Sequence, residues 1–150
     1  MGGKYFEEFA VGQTFVHEVR RTVTDMDNIL FSALTHNPAA IHIDHEYART
    51  TEFGKPLVNS IFTLGLVVGL SVQDTTLGTT VGNLGWEEVA FPKPVFAGDT
   101  IRAETKVIAL RESKSRPAQG IVTFAHKGLN QRNEVVCSCR RVALMLRKPQ

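Results

Sequence analysis

The sequence has little of what marks several large classes of protein. Its 150 residues include two cysteines, Cys137 and Cys139, too few for the disulfide framework that holds small secreted domains together. Two positions apart in an extended strand, both thiols point to the same face. Their spacing matches no zinc-ligand pattern, so they read as two small residues of a packed face and no metal site is expected. Charge of one sign is not in excess, since 17 basic and 15 acidic residues leave a formal net charge of +2. A nucleic-acid protein would carry a clustered basic stripe instead. No stretch approaches the roughly 20 apolar residues of a membrane-spanning helix. The N-terminal Met-Gly-Gly-Lys-Tyr-Phe lacks a basic region followed by an apolar run. No secretory leader is visible, and the cytosol is the expected location.

What is present is the composition of a globular protein, 43% hydrophobic and 21% charged. Its length fits one domain over residues 1–150 with one sizeable core. No internal repeat or low-complexity linker divides it. Residues 14–23 read as a strand. Thr24 then serves as an N-cap, with Asp27 closing a weak capping box, for a short helix through Ile29, Leu30, Ala33 and Leu34 that must stop before Pro38. Asp44 can cap a second short helix from His45. After the breakers Gly54 and Pro56 comes the most apolar run, from Leu57 to Val72. It is apolar on most faces, which predicts a buried helix. Gly65 and Gly69 lie one turn apart within it. Glycine inside a helix costs about 1 kcal/mol, so these two predict the close approach of another backbone. Everything after Thr76 reads as strand, over 79–88, 100–112, 120–129 and 135–146, with a hairpin turn at 130–133 and a turn at Ala97-Gly98-Asp99. One strand, helices and then four long strands spell an α+β protein. The simplest way to bury such a helix in a small domain is to wrap a curved antiparallel sheet around it. That arrangement leaves long edge strands in need of cover, and a homodimer or higher homo-oligomer is expected.

The chemistry points to Phe31-Ser-Ala-Leu-Thr-His-Asn-Pro-Ala-Ala-Ile-His-Ile-Asp44, an irregular linker between the two short helices. Loops held by a scaffold are where catalytic groups concentrate. His42 can act as general acid or base near neutral pH, and the amide of Asn37 can both donate to and accept from a water or a substrate oxygen. On these residues alone, His42 equally suits a helix cap or a hydrogen-bond niche.

Three pieces in order are similar to the MaoC-like hydratase/dehydratase family, which has the hot-dog fold. The segment from Asn37 to Asp44 resembles that family's Asp-x-x-x-x-His motif followed by x-Asp. The run from Ala48 to Thr63 resembles its entry into the central helix. Phe91-Pro-Lys-Pro-Val-Phe-Ala-Gly-Asp-Thr100 resembles its Gly-Asp-Thr turn. The resemblance spans roughly residues 5–146. It implies that His42 is the catalytic acid/base. It also implies that the backbone N–H at Ser60, beside Asn59 at the helix start, helps to hold a thioester carbonyl. The implied reaction is reversible hydration of an α,β-unsaturated acyl-CoA, with coenzyme A as part of the substrate and no separate cofactor.

Asn37 departs from the pattern, since an amide cannot take a proton from water where the family has aspartate. Three readings stay open. Asn37 orients the water or a substrate carboxylate while His42 titrates; or the adjacent His36 substitutes; or the site binds thioesters without turning them over. The blocks from Leu64 to Thr80 and from Leu110 to Pro117 resemble the branch that handles short branched or dicarboxylic acyl-CoAs such as mesaconyl-CoA, methylmalyl-CoA and itaconyl-CoA. An amide there avoids the repulsion that an aspartate would impose on a substrate carboxylate.

Arg111, Lys114 and Arg116 cluster in a turn between long strands. They suit phosphate contacts to coenzyme A, or else form a solvated basic hairpin tip. Glu87 or Glu88, one of which should face the core, is a candidate for a missing base. Asp99 should make turn hydrogen bonds, and His17, His45 and His126 read as surface or packing residues. Two rival functions share the fold. One is a thioesterase, which would want a carboxylate in or beside the central helix, whereas residues 59–72 hold none. The other is a non-catalytic acyl-CoA-binding subunit.

Overall fold

The structure is a computed structural model that describes residues 2–149. After a 3-10 turn at Phe6–Glu8 the chain forms β1 (Thr14–Val16), β2 (Arg21–Thr22), α1 (Asp25–Leu34), α2 (Ala40–Ile43), α3 (His45–Arg49) and α4 (Ser60–Thr75). Four long strands follow: β3 (Thr80–Ala90), β4 (Thr100–Glu112), β5 (Gln119–Leu129) and β6 (Val135–Leu146). All pairings are antiparallel. The sheet order is β1-β4-β5-β6-β3, with β2 also on β4. This is the α+β hot-dog arrangement, a curved sheet laid around α4.

The four long strands form where alternation marks them. Ile101, Ala103, Thr105 and Val107 of β4 are all buried. The register sets Thr105 opposite His126 and His126 opposite Cys139, so one row of side chains from three strands faces inward. One cluster of this face, including Ile101, Ala103, Val136 and Cys137, packs on Val67 and Leu70 of α4. A second, around Phe124, Val107 and Met145, is closed by Phe9 and Phe6 of the N-terminal segment. Both cysteines are free and buried; burial pushes the Cys137 thiol up to about 12, which leaves it an inert thiol.

The expected strand over 14–23 is two fragments, β1 and β2. Between them His17 turns inward, its N–H donating to the Ala103 carbonyl at 3.2 Å. Its ring is buried rather than superficial. Nδ1 lies 2.7 Å from the Asp74 carboxylate and Nε2 lies 2.8 Å from the Thr105 hydroxyl, which in turn lies 2.8 Å from Nδ1 of His126. His126 is 1% exposed. Burial, reinforced by the charges of Arg141 and His17, holds it down to about 3, far below an ordinary histidine. His45 stays on the surface, 3.7 Å from Asp25.

The prediction for α4 needs correction. Only one face is covered, through Thr63, Val67, Leu70, Ser71 and Thr75, while Ile61 is 58% exposed. Gly65 and Gly69 lie on the open side, and nothing within 4 Å meets a β-carbon built on either. The close approach occurs instead at Gly128 of β5, where the Val67 side chain fills the space that a β-carbon would take. Glu87 and Glu88 also depart from expectation. Both are exposed, because β3 is an edge strand whose pairing with β6 shifts register between Glu87 and Ala90. Glu88 sits at φ 49° and pairs with Arg140 at 2.8 Å. Neither supplies a buried base. The same strand exposes Val81, Leu84, Trp86 and Val89.

Candidate active site

The site is assembled by hydrogen bonds that hold three loop junctions together. α1 begins as its sequence demands: the Thr24 hydroxyl accepts from Asp27 N–H at 3.3 Å, and the Asp27 carboxylate accepts from Thr24 N–H at 2.8 Å. The helix faces the opposite way from its apolar pattern, however. Ile29, Leu30 and Leu34 are exposed, Leu34 at 71%, while Asn28 and Ser32 are buried. Hydrogen bonding by Asn28 outweighs the apolar stripe here.

After α1 the chain turns at His36, which adopts φ 55°, in the left-handed region open to few side chains. Asn37 N–H donates to Ser32 C=O at 2.9 Å. Its side-chain oxygen accepts from Ala39 N–H at 3.0 Å, an Asx turn. The segment that follows is a turn of helix, α2, rather than irregular linker, and His42 N–H donates to Ala39 C=O at 3.0 Å. Asp44 then caps α3 as expected, accepting from Tyr47 N–H at 3.0 Å.

The His42 ring is oriented by Leu57, whose carbonyl lies 2.7 Å from Nδ1. A carbonyl can only accept, so Nδ1 carries the proton. In the neutral ring Nε2 therefore has a free lone pair, the form that a general base needs. Leu57 leads directly into α4. Asn59 caps that helix, its side-chain oxygen accepting from Ile61 N–H at 3.0 Å. Ser60 N–H has no hydrogen-bond partner among the described residues. An unpaired donor at the start of a 16-residue helix suits a developing oxyanion. Ser60 also lines a cavity of about 200 Å³ with Phe53, Leu57, Thr63, Val95 and Lys93. His42 is not among its lining residues, but it is joined to the cavity wall through the Leu57 carbonyl.

Asn37, His42 and Asn59 are thus linked by hydrogen bonds through Ala39, Leu57 and Asn28, and Ser60 follows Asn59 in the chain. Arg111, Lys114 and Arg116 lie apart from them. Arg111 lies near the far end of β4, ten residues from Ile101, which packs in the cluster around Val58. At about 3.3 Å per residue that is roughly 30 Å along the strand. Lys114 and Arg116 are exposed in the β4–β5 turn. Asp99 makes the turn bonds expected of it, accepting from Phe96 N–H at 2.9 Å. Asn28 escaped sequence reasoning. The signal was there in the pair Asn28 and Ser32, two polar residues four apart on one helix face.

Comparison with known proteins decides the family. The MaoC-like domain matches residues 7–128. This chain belongs to the MaoC-like family. Among MaoC-like relatives, the mesaconyl-CoA hydratase of Cereibacter sphaeroides is 40% identical over 146 residues, 97% of this chain and 42% of that protein. The β-methylmalyl-CoA dehydratase of Chloroflexus aurantiacus is 34% identical over 134 residues, 89% of this chain and 38% of that protein. The chain therefore spans about two fifths of these curated relatives. The crystal structure of the MaoC-like dehydratase from Rhodospirillum rubrum superposes with a TM-score of 0.85 at 31% identity, covering 99% of this chain and 100% of that one. A Mycobacterium tuberculosis protein with a double hot-dog fold, 21% identical and 46% covered, superposes with a TM-score of 0.88 and shows the shared fold.

Proposed function

We propose that this MaoC-like chain is a hydro-lyase that reversibly adds water across the double bond of an α,β-unsaturated acyl-CoA, with a short branched or dicarboxylic acyl group. The observation that carries the reading is the Leu57 carbonyl on His42 Nδ1, which leaves Nε2 as a base and ties the ring to the segment that leads into Ser60. In the hydration direction Nε2 takes a proton from water as the water oxygen bonds to Cβ. The electron pair of the double bond moves toward the thioester, whose oxygen is held by Ser60 N–H. The imidazolium then returns its proton to Cα, and the histidine is restored. Written this way the step needs no metal or organic cofactor. Asn37, one lone pair of its oxygen taken by Ala39 N–H, has an NH₂ to donate and so positions an anionic or hydroxyl oxygen rather than moving a proton. That favours a substrate with its own carboxylate, in keeping with the names of the two curated relatives.

The site would meet coenzyme A phosphates through Arg111, Lys114 and Arg116 only if a neighbouring copy brings its β4–β5 turn over. A homodimer fits the open face of α4 and the exposed edge of β3. It also fits the match of this chain to less than half of a double hot-dog protein. A cytosolic setting completes the proposal.

The test is a panel of enoyl-CoA thioesters followed at the conjugated thioester absorbance. Wild type should consume mesaconyl- or itaconyl-type substrates without releasing free thiol, and His42→Ala should lose about 10²–10⁴-fold in kcat. Activity that survives His42→Ala removes the reading, and stoichiometric thiol release replaces it with a thioesterase. Asn37→Asp should weaken turnover of dicarboxylyl thioesters more than of crotonyl thioester; equal effects on both would remove the role given to the amide.

A further inference from the structure

Asn28 is 2% exposed and lies on α1, 14 residues before His42. Its amide is committed in every direction. The two hydrogens of Nδ2 go to the carbonyls of His42, at 2.9 Å, and Leu57, at 3.0 Å; Oδ1 accepts from Asn59 N–H at 2.9 Å. These three partners are the backbone of the histidine itself, the carbonyl that orients its ring, and the cap of the helix whose first residue, Ser60, lines the cavity. Only one orientation of the amide works. Flipped, its oxygen would oppose two carbonyl oxygens and its NH₂ would oppose an N–H.

We infer that Asn28 is the positioning residue of this site: it sets the tautomer and aim of His42 and fixes the distance from that ring to the N–H at Ser60. The inference deepens the hydratase reading and rests on it for its kinetic part alone. The Leu57 carbonyl already accepts from His42 Nδ1. A second donor on the same oxygen holds the peptide plane in place, as an outer partner does for an active-site or metal-bound histidine. Because Asn28 does not line the cavity and its hydrogen bonds all go to backbone groups, its loss should act on the chemical step and not on substrate capture.

Two substitutions test these contacts. Asn28→Leu keeps the branched shape and removes all three bonds. Asn28→Asp keeps the acceptor for Asn59 N–H but turns two donors into an anion facing two carbonyls. The primary readout needs no substrate. It is the ¹⁵N spectrum of the His42 imidazole, assigned by its absence in His42→Gln. Wild type should show the single neutral tautomer with the proton on Nδ1, and both variants should show a mixture of tautomers. In the kinetic readout kcat should fall 10–100-fold in each variant while KM changes less than about threefold, and the pH profile of kcat should move with the ring. A folded Asn28→Leu protein with the wild-type tautomer overturns the inference, as does a loss confined to KM. Should neither variant fold, the wild-type protein still decides. Slow solvent exchange of the Asn28 NH₂ protons together with a pure His42 tautomer supports the inference, and exchange as fast as that of exposed asparagines overturns it. A wild-type protein inert toward every enoyl-CoA would sink the hydratase reading and leave the tautomer result standing.

Discussion

Which nitrogen of a histidine holds the proton is a residue-scale fact with chemical consequences, and here it is set by groups far apart in the chain. His42 stands out in the sequence as a candidate because its surroundings, from Asn37 to Asp44, are contiguous. Its orientation does not, because Leu57 and Asn28 lie 15 and 14 residues away and no local spacing announces them. The same limit applied to His17 and His126, whose partners Asp74 and Thr105 come from other elements. His126 gives a test at this scale. Folded, it titrates near 3; unfolded, near its ordinary value of 6.5. The unfolded chain therefore binds the extra proton between those values. Stability from this group is complete above about pH 6.5 and is lost on acidification, at up to about 1.4 kcal/mol per pH unit. Denaturant unfolding of His126→Gln should show a shallower fall of stability between pH 6 and pH 4 than wild type does. Equal slopes would mean that the buried ring does not set the acid sensitivity.

At the scale of elements, the sequence showed most clearly what alternation and caps encode. β4 and β6 follow their apolar rows, and α1 and α3 start at Thr24 and Asp44. α2 was missed because four residues carry no periodicity, and its start is an Asx turn at Asn37. α1 leaves its apolar stripe of Ile29, Leu30 and Leu34 outside, while Asn28 is drawn in by backbone partners that the sequence does not advertise. α4 and β3 share a different trait: each has an apolar side that nothing in the described chain covers. An edge strand carrying Leu84, Trp86 and Val89 is a pairing template. Trp86→Glu with Val89→Lys should therefore yield monomers in sedimentation at concentrations where wild type is dimeric. A wild type that is itself monomeric at high concentration would remove the dimer from the proposal.

For the molecule as a whole, the candidate site and the basic β4–β5 turn lie near opposite ends of one strand. If Arg111 and Arg116 serve coenzyme A, they serve it across a subunit boundary. Arg111→Ala with Arg116→Ala should then raise KM for acyl-CoA several-fold at low salt and flatten its dependence on salt, and mixing this double variant with inactive His42→Ala chains should restore half-sites of normal KM. Unchanged KM at low salt would leave these residues as a solvated tip. The seat of Val67 on Gly128 has a consequence at this same scale. It sets the height of α4 above the sheet, and α4 carries Ser60 while His42 rides on a different element. Position 128, remote from the chemistry, is therefore not free to drift: a larger residue there must be matched by a smaller one at 67, or the helix lifts and parts the N–H from the base. Over evolutionary time the two positions should behave as a single inherited character.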